Sequence, residues 1–431
     1  MRPAGYAEPN PVAATVRASV RTTALSVAQE WSRQPWDAAL LLCFAVFATL
    51  YALTTRNLPH QMWAVYAAGS YAIGAAILLA RSVRRLLPIC THRRWLVFAL
   101  LVLGTTVIPL AHQAVDGIAN PEILILGEAA DRWLSIGTPF PTEAELAGRG
   151  ADVNAYNVYL PLLAVFGLPS ALFAPAPGTD PRIYLLLASY AIFLGLGRRA
   201  GWPVALFMIS PWVALQLVSG ATDIPVLGCV LFGLVLVGRD RIGWAGLAMG
   251  VATGLKALAW PAVAIALILV RVRGGWPAVM RFTGVVVLVL TVVLGLPVLV
   301  DPAAFVVNAI KLPLGVLPVK LTAASPLPGH LLSQTGPIGQ LVALTLLAVA
   351  ALAIGGWALR RPPQDAVAAA RWVALGMLVA MVLAPASRYG YLVYSVGLVL
   401  LPVLASDLPS GARADSLHPP GSSADHMRTS A

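Results

Sequence analysis

The sequence predicts an all-α polytopic membrane protein with roughly 11–13 transmembrane or re-entrant helices. Composition is the first reason: hydrophobic residues make up 59% of the 431 residues, and charged residues make up only 11%. The mean hydropathy of +0.81 is the second. A soluble domain carries about 25% charged residues, and in lipid only helices and closed barrels pair all their own backbone groups.

The distribution of the basic residues is the third reason. The net charge of +11 is not read as a nucleic-acid-binding surface, because the arginines stand at the ends of apolar runs. The positive-inside rule places such residues in the cytoplasm. They include Arg81, Arg84, Arg85, Arg93, Arg94, Arg198, Arg199, Arg271, Arg273, Arg360 and Arg361. The three cysteines form no CxxC motif, so we expect neither a metal site nor a disulfide framework, and no cofactor.

Apolar runs of about 20 residues define the predicted spans. The full-length candidates are Asp37–Thr54, Gln61–Ala80, Trp95–Ala111, Ala278–Leu299, Gly339–Leu359, Val367–Pro385 and Tyr391–Ala405. The expected organisation is a cytoplasmic tail (1–36), two accessory transmembrane helices with a basic loop (37–94), a main membrane domain (95–405) and a disordered tail (406–431).

The middle of the chain predicts short helical hairpins. Between the arginine turns the apolar legs are about 14–19 residues long, so the shortest reach only about 21 Å. Asp223 and Lys256 interrupt these legs and are expected at the apices, toward the outer face. Residues 155–197 hold two apolar runs where the topology needs one crossing, so one of them is expected to be re-entrant or interfacial.

A long acidic loop from His112 to Asn154 is predicted to carry the chemistry. It holds seven acidic residues but only two arginines, and the preceding basic cluster places it on the outer face. A second outer loop is expected at 301–335. The acids are Asp116, Glu122, Glu128, Asp131, Glu143, Glu145 and Asp152.

Glu122 is the preferred general base. Asn120-Pro121-Glu122 is typical of a helix start, and a carboxylate near the membrane can accept a proton from a hydroxyl. The alternative is that Glu122 only complements the helix dipole. Asp116 and Asp131 are rival bases. Glu128 and Arg132 have the spacing of an i,i+4 ion pair.

Cations near the predicted apices could bind a phosphate. Lys256 is an ionisable residue at membrane depth, which indicates function by default, although its side chain could instead snorkel to the headgroups. Arg388, followed by Tyr389 and Tyr391, could clamp a phosphate bidentately or anchor the chain at the interface. Lys311 and Lys320 lie in the second outer loop.

Taken together, these motifs resemble those of the membrane-embedded C-type glycosyltransferases. The chain looks most like family 87, the polyprenol-phosphate-mannose-dependent α-mannosyltransferases of actinobacteria. The motifs that carry this resemblance are, in chain order, Glu122 before Gly137-Thr138-Pro139-Phe140, Tyr159-Leu160-Pro161-Leu162, Gly220 to Asp223, Arg239/Arg241, Gly254-Leu255-Lys256 with Pro261, and Ala384-Pro385-Ala386-Ser387 with Tyr389/Tyr391. The family acid is usually Asp, which leaves Asp116 as a rival to Glu122, and Arg388 stands where the family shows His/Trp character.

The resemblance implies inverting transfer of a sugar, expected to be mannose, from a polyprenyl-phosphate donor to a glycolipid or glycan acceptor. It places this activity at the outer face of the plasma membrane. Glu122 would act as base, and Lys256, Arg388, Lys311 and Lys320 would stabilise the phosphate. Asp223 would orient the sugar, with Tyr159 and Tyr389 as further substrate contacts. The alternatives are a transporter or lipid flippase, since broken helices with charged apices occur there too, and an inactive scaffold of the same fold.

Overall fold

The computed structural model describes residues 36–80, 90–149, 152–196, 201–317, 319 and 323–404. These residues are almost entirely helical, which confirms the predicted fold class. The predicted tails, apart from Trp36, and most of the basic loop after Ala80 lie outside the described residues. The helices are α1 (Trp36–Thr54), α2 (Leu58–Leu79), α3 (Trp95–Val115), α4 (Pro121–Ile136), α5 (Glu143–Gly148), α6 (Leu168–Phe173), α7 (Pro181–Leu196), α8 (Trp202–Met208), α9 (Pro211–Ser219), α10 (Asp223–Gly238), α11 (Ile242–Leu255), α12 (Trp260–Val300), α13 (Pro302–Phe305), α14 (Pro328–Ser333), α15 (Pro337–Arg360), α16 (Ala366–Leu383), α17 (Leu392–Val399) and α18 (Leu401–Leu404).

Within the described ranges, six helices are long and apolar enough to cross a membrane: α1, α2, α3, α15, α16 and the stretch Ala257–Val300 that contains α12. The corresponding predicted spans are confirmed as apolar helices. The seventh prediction, Tyr391–Ala405, is wrong as a single helix, because α17 ends before Leu400 and α18 starts after it. Pro402 has no N–H to continue the helical ladder, which explains the break.

The chain divides into two compact units, and the first comprises Met1–Gln113 and Ile209–Val218. Its buried polar side chains donate to backbone carbonyls: the Trp63 indole to Thr105 (2.9 Å) and the Gln113 amide to Pro59 (2.8 Å). Unpaired polar groups are costly in lipid, so these bonds stabilise the packing of α2 on α3. The first unit includes most of α3, and the functional boundary expected after residue 94 stays a prediction.

The second unit, Ala114–Met208 and Ser219–Ala431, contains the consecutive antiparallel helices α10 and α11. Asp223 starts α10 and Lys256 follows α11, so both predicted apex residues lie at one end of this pair. At the other end, Asp240 in the connecting turn binds Arg273 (3.0 Å). With 16 and 14 residues, the two helices are as short as the sequence predicts.

A break at Gly275 turns α12 into two helices. Gly275 has φ 66° and ψ −163°, which lie outside the helical region. Beyond it, the second half of α12 passes α11 closely, with Val285 against Gly246 and Val293 against Gly254. Residue numbers rise together along both helices, so they run parallel. The chain therefore reverses at Gly275, directly after the predicted arginine turn.

The two apolar runs between residues 155 and 197 differ in regularity. The first is a 3-10 helix, Pro161–Gly167, continued by the short α6, whereas the second is the 16-residue α7. Gly167 packs directly on α4, since a Cβ at this position would lie 2.1 Å from the Leu126 carbonyl oxygen. The first run is therefore the short and irregular one.

Candidate active site

Glu122 lies in the first turn of α4, as predicted. Asn120 is the N-cap residue, but its side chain makes no capping bond. Its amide instead donates to the Ser219 carbonyl (3.0 Å). Gly220 follows with φ 86°, a conformation that other residues rarely adopt. The start of α4 is thus fixed to the turn that leads into Asp223.

Arg388 forms an ion pair with Glu122. The Arg388 side chain is 41% exposed and that of Glu122 is 20% exposed. Arg388 lies on the connection between α16 and α17, which is anchored through the preceding residue. The Ser387 N–H donates to the Ala323 carbonyl and the Ser387 carbonyl accepts from the Ser325 N–H, both at 3.0 Å. The second predicted outer loop thus supports the backbone that presents Arg388.

Lys256 and Asp223 form a second, more buried ion pair. Lys256 Nζ lies 2.6 Å from Asp223 Oδ1, and the side chains are only 14% and 8% exposed. The Tyr394 hydroxyl donates to the same oxygen (2.8 Å). Lys256 Nζ also lies 5.6 Å from the ring centroids of Tyr159 and Tyr391, which is within the range of cation–π attraction. Lys256 is therefore held at the helix ends.

The two ion pairs belong to one site. Lys256 lies over the ring of Tyr391, whose N–H donates to the Arg388 carbonyl at 3.0 Å. Asn120, two residues before Glu122, is bonded to Ser219 in the turn that leads into Asp223. The site combines two carboxylates with two cations between tyrosine rings, so its four charges cancel. A carboxylate can accept a proton, and the cations can bind an anion or stabilise a developing negative charge.

A buried asparagine pair joins the two predicted outer loops behind Tyr159. The Asn157 N–H donates to Asn308 Oδ1, and Asn308 Nδ2 donates to the Pro141 carbonyl, both at 3.0 Å. Asn157 Oδ1 accepts from the Tyr159 N–H at 3.0 Å. Since both asparagines are buried, these bonds fix the backbone that carries the Tyr159 ring. Sequence patterns gave no sign of Asn308.

The two rival bases, Asp116 and Asp131, are exposed. Asp116 is exposed in the turn after α3. Asp131 is exposed on α4, nine residues after Glu122, which corresponds to two and a half turns and about 13.5 Å. Asp131 therefore lies on the opposite face of the helix. Glu122 pairs with Arg388, so it stays the preferred base, with Asp116 and Asp131 as the alternatives.

The remaining predicted substrate contacts, Lys311, Lys320 and Tyr389, differ in where they lie. Lys311 is exposed at the end of a π-helical turn and takes part in neither ion pair, and Lys320 lies outside the described residues. Tyr389 is 51% exposed, and its role as a substrate contact stays a prediction. Tyr391 and the unforeseen Tyr394 line the cluster around Lys256 and Asp223. Their three-residue spacing, which puts both on one helix face, was the available signal.

The predicted ion pair between Glu128 and Arg132 is wrong. Arg132 binds Glu145 (2.7 Å) and Glu128 binds Arg149 (3.0 Å), so both pairs close the loop across α5. Glu145 also completes a capping box with Thr142. The hydrogen bond from Arg132 is the main cause that lowers the pKa of Glu145 from 4.5 to about 2. Among the described residues no group of three or more His, Cys, Asp or Glu side chains could hold a metal.

A comparison with protein-family models found a match to the part of the chain that begins at Asn157. The family model of glycosyltransferase family 87 matches residues 157–385, which is more than half of the chain. The matched region contains Tyr159, Asp223 and Lys256, whereas Glu122 precedes it and Arg388 follows it. No curated protein and no solved structure matches the chain.

Proposed function

The chain belongs to glycosyltransferase family 87, and from this premise we propose that it transfers mannose from a polyprenyl-phosphate donor to a glycolipid or glycan acceptor. Family membership and the six apolar helices among the described residues make the protein a membrane glycosyltransferase. The apolar composition and the membrane helices of the chain support a donor that arrives through the lipid. Family membership also favours an enzyme over a transporter or flippase.

The observation that carries the proposal is the ion pair of Glu122 with Arg388. The Arg388 carbonyl accepts from the N–H of Tyr391, and Lys256 lies over the ring of that tyrosine. In the proposed reaction a Glu122 oxygen accepts the proton of an acceptor hydroxyl. The acceptor oxygen attacks the anomeric carbon while the bond from that carbon to the phosphate oxygen breaks. The leaving polyprenyl phosphate keeps the electron pair, and Arg388 and Lys256 stabilise its charge. A single displacement inverts the anomeric configuration.

Asp223 would orient the sugar. Its Oδ1 is shared by Lys256 and Tyr394, so Oδ2 is the atom proposed to accept a hydrogen bond from a sugar hydroxyl. The rings of Tyr159 and Tyr391 offer faces for the sugar to stack on. Lys311 and Lys320 of the second outer loop remain candidates for contacts to the phosphate headgroup.

We place the reaction at the outer face of the plasma membrane. Asp223 and Lys256 lie at the end of α10 and α11 opposite to Arg273 and Asp240. The arginine-rich turns are expected in the cytoplasm, which supports an external location for the opposite end. The acid excess of the 112–154 loop agrees with that orientation.

A donor comparison with purified protein in lipid vesicles tests this proposal. Radiolabelled polyprenyl-phosphate mannose and polyprenyl-phosphate arabinofuranose are offered separately with a glycolipid acceptor extract. We expect transfer of mannose, release of one polyprenyl phosphate per transfer, and a product whose anomeric configuration is opposite to that of the donor. If only arabinofuranose were transferred, the proposed donor sugar would be arabinofuranose and not mannose. A product that retains the anomeric configuration of the donor would overturn the single displacement.

A further inference from the structure

The two ion pairs of the site differ in how firmly they are held. Asp223 and Lys256 are nearly buried, and the pair has the additional support of the Tyr394 hydroxyl and two aromatic rings. Glu122 and Arg388 are more exposed, at 20% and 41%. Removing a partner from a buried pair leaves an uncompensated charge, whereas exposed pairs contribute little to stability. The pair of Glu122 with Arg388 is therefore the one that opens more readily.

We propose that Arg388 exchanges partners during the reaction: it leaves Glu122 for the phosphate of the donor, while Lys256 stays bound to Asp223. This inference rests on the proposed function and assigns separate roles to the two cations. Arg388 is the phosphate ligand. Lys256 is a positioning residue that holds Asp223 and the tyrosines, and it adds positive charge near the phosphate without binding it.

The chemistry of the two side chains supports this division. A guanidinium group presents a planar fork of donors that matches a phosphate bidentately, and it gives up its hydration more easily than an ammonium. The Arg388 side chain is 41% exposed, whereas that of Lys256 is 14% exposed and lies between Tyr159 and Tyr391. The residue with the more suitable geometry is thus also the more exposed one.

The exchange would also couple donor binding to base availability. Arg388 Nη1 donates to Glu122 Oε1, so the guanidinium group competes with an acceptor hydroxyl for that oxygen. Transfer of Arg388 to the phosphate releases the carboxylate next to the anomeric carbon. Donor binding therefore makes the base available for the acceptor hydroxyl.

Equilibrium binding of a short-chain polyprenyl phosphate to the full-length protein in detergent tests the exchange. The proteins are the wild type, Glu122→Gln, Arg388→Gln and the control Glu128→Gln, which changes an exposed acid of the same helix that is paired with Arg149. Neutral polyprenol and inorganic phosphate are the comparison ligands, because they separate binding of the lipid chain from binding of the phosphate. Thermal unfolding of each variant confirms that it is folded.

Glu122→Gln removes the competitor for Arg388, so we expect it to bind polyprenyl phosphate about fivefold more tightly than the wild type. Arg388→Gln is expected to bind polyprenyl phosphate about tenfold or more weakly, and Glu128→Gln should bind it like the wild type. None of the three substitutions should change the affinity for neutral polyprenol. Equal or weaker binding by Glu122→Gln, or full binding by Arg388→Gln, overturns the exchange while the proposed function stands. A wild type that binds polyprenol as well as polyprenyl phosphate overturns the donor class itself, and the exchange with it.

Discussion

The Tyr394 hydroxyl donates a hydrogen bond to Asp223 Oδ1 at 2.8 Å, at the same oxygen that binds Lys256. Tyr394→Phe removes this donor from a buried carboxylate and should lower the free energy of unfolding by about 1.5–3 kcal/mol, as for hydrogen bonds to charged groups. Thermal or denaturant unfolding in detergent measures the change. Tyr184→Phe is the matched control, since its hydroxyl bonds to the Gly178 carbonyl at an exposed position. If the free energy of unfolding fell by the same amount in the two variants, Tyr394 would have no special role.

Asn308 should contribute both to the order of the backbone near the site and to the overall stability of the fold. Asn308→Ala deletes the acceptor for the Asn157 N–H and the donor to the Pro141 carbonyl. Each buried group left unpaired costs about 1–3 kcal/mol. We expect faster amide hydrogen exchange in peptides spanning 152–160 and a higher KM, because the backbone of Tyr159 loosens. Asn154→Ala, at an exposed position of the same loop, should leave exchange and KM unchanged, and a similar effect of both variants would contradict this assignment.

Gly167 is required by the contact between the first apolar run and α4. A methyl group there would lie 2.1 Å from the Leu126 carbonyl oxygen, so Gly167→Ala must push the two segments apart. We expect a loss of about 1–3 kcal/mol in the free energy of unfolding, which is typical of overpacking. Gly355→Ala is the control, because an added Cβ meets no atom within 4 Å. It should be neutral or gain up to about 1 kcal/mol from helix propensity. A neutral Gly167→Ala would show that the packing is looser than described.

The loop around α5 should depend on pH through Glu145. Its pKa is lowered in the folded state from 4.5 to about 2, chiefly by the hydrogen bond from Arg132. A lowered pKa stabilises the folded loop fully above pH 4.5, and this contribution is lost as the pH falls from 4.5 toward 2. The α5 amides should therefore be equally protected from hydrogen exchange at pH 7 and pH 5, after correction for intrinsic exchange rates. Below pH 4.5 this protection should decrease. Glu145→Gln should abolish that pH dependence, and an unchanged profile in this variant would point to another acid.

Sequence patterns predicted the fold where a single physical cause dominates. The apolar spans follow from hydropathy, and the short helices α10 and α11 follow from arginine turns too close together for full crossings. The placement of Asp223 and Lys256 at the same end of these helices follows from the same reasoning, but their ion pair does not. The break between α17 and α18 was missed because hydropathy does not register the missing N–H of Pro402.

The candidate site was predicted in part. Glu122, Asp223, Lys256 and Arg388 were all named, but their pairing was not, because residues 266 positions apart in sequence carry no local signal for contact. The same limit explains why Arg132 was paired with Glu128 instead of Glu145: helical spacing gave a local partner, and the fold supplied a better one from α5. Asn308 was missed because a buried amide is recognisable only through its partners.

Transfer by Glu122→Gln tests the central claim most directly. The rate of mannose transfer from polyprenyl-phosphate mannose is compared between the wild type, Glu122→Gln and Glu128→Gln at saturating donor and equal amounts of folded protein. If Glu122 is the base, its amide variant should be slower by about 10²–10⁴-fold, the usual contribution of general base catalysis, and Glu128→Gln should match the wild type. A Glu122→Gln protein that folds, binds the donor and transfers mannose at the wild-type rate would contradict the account.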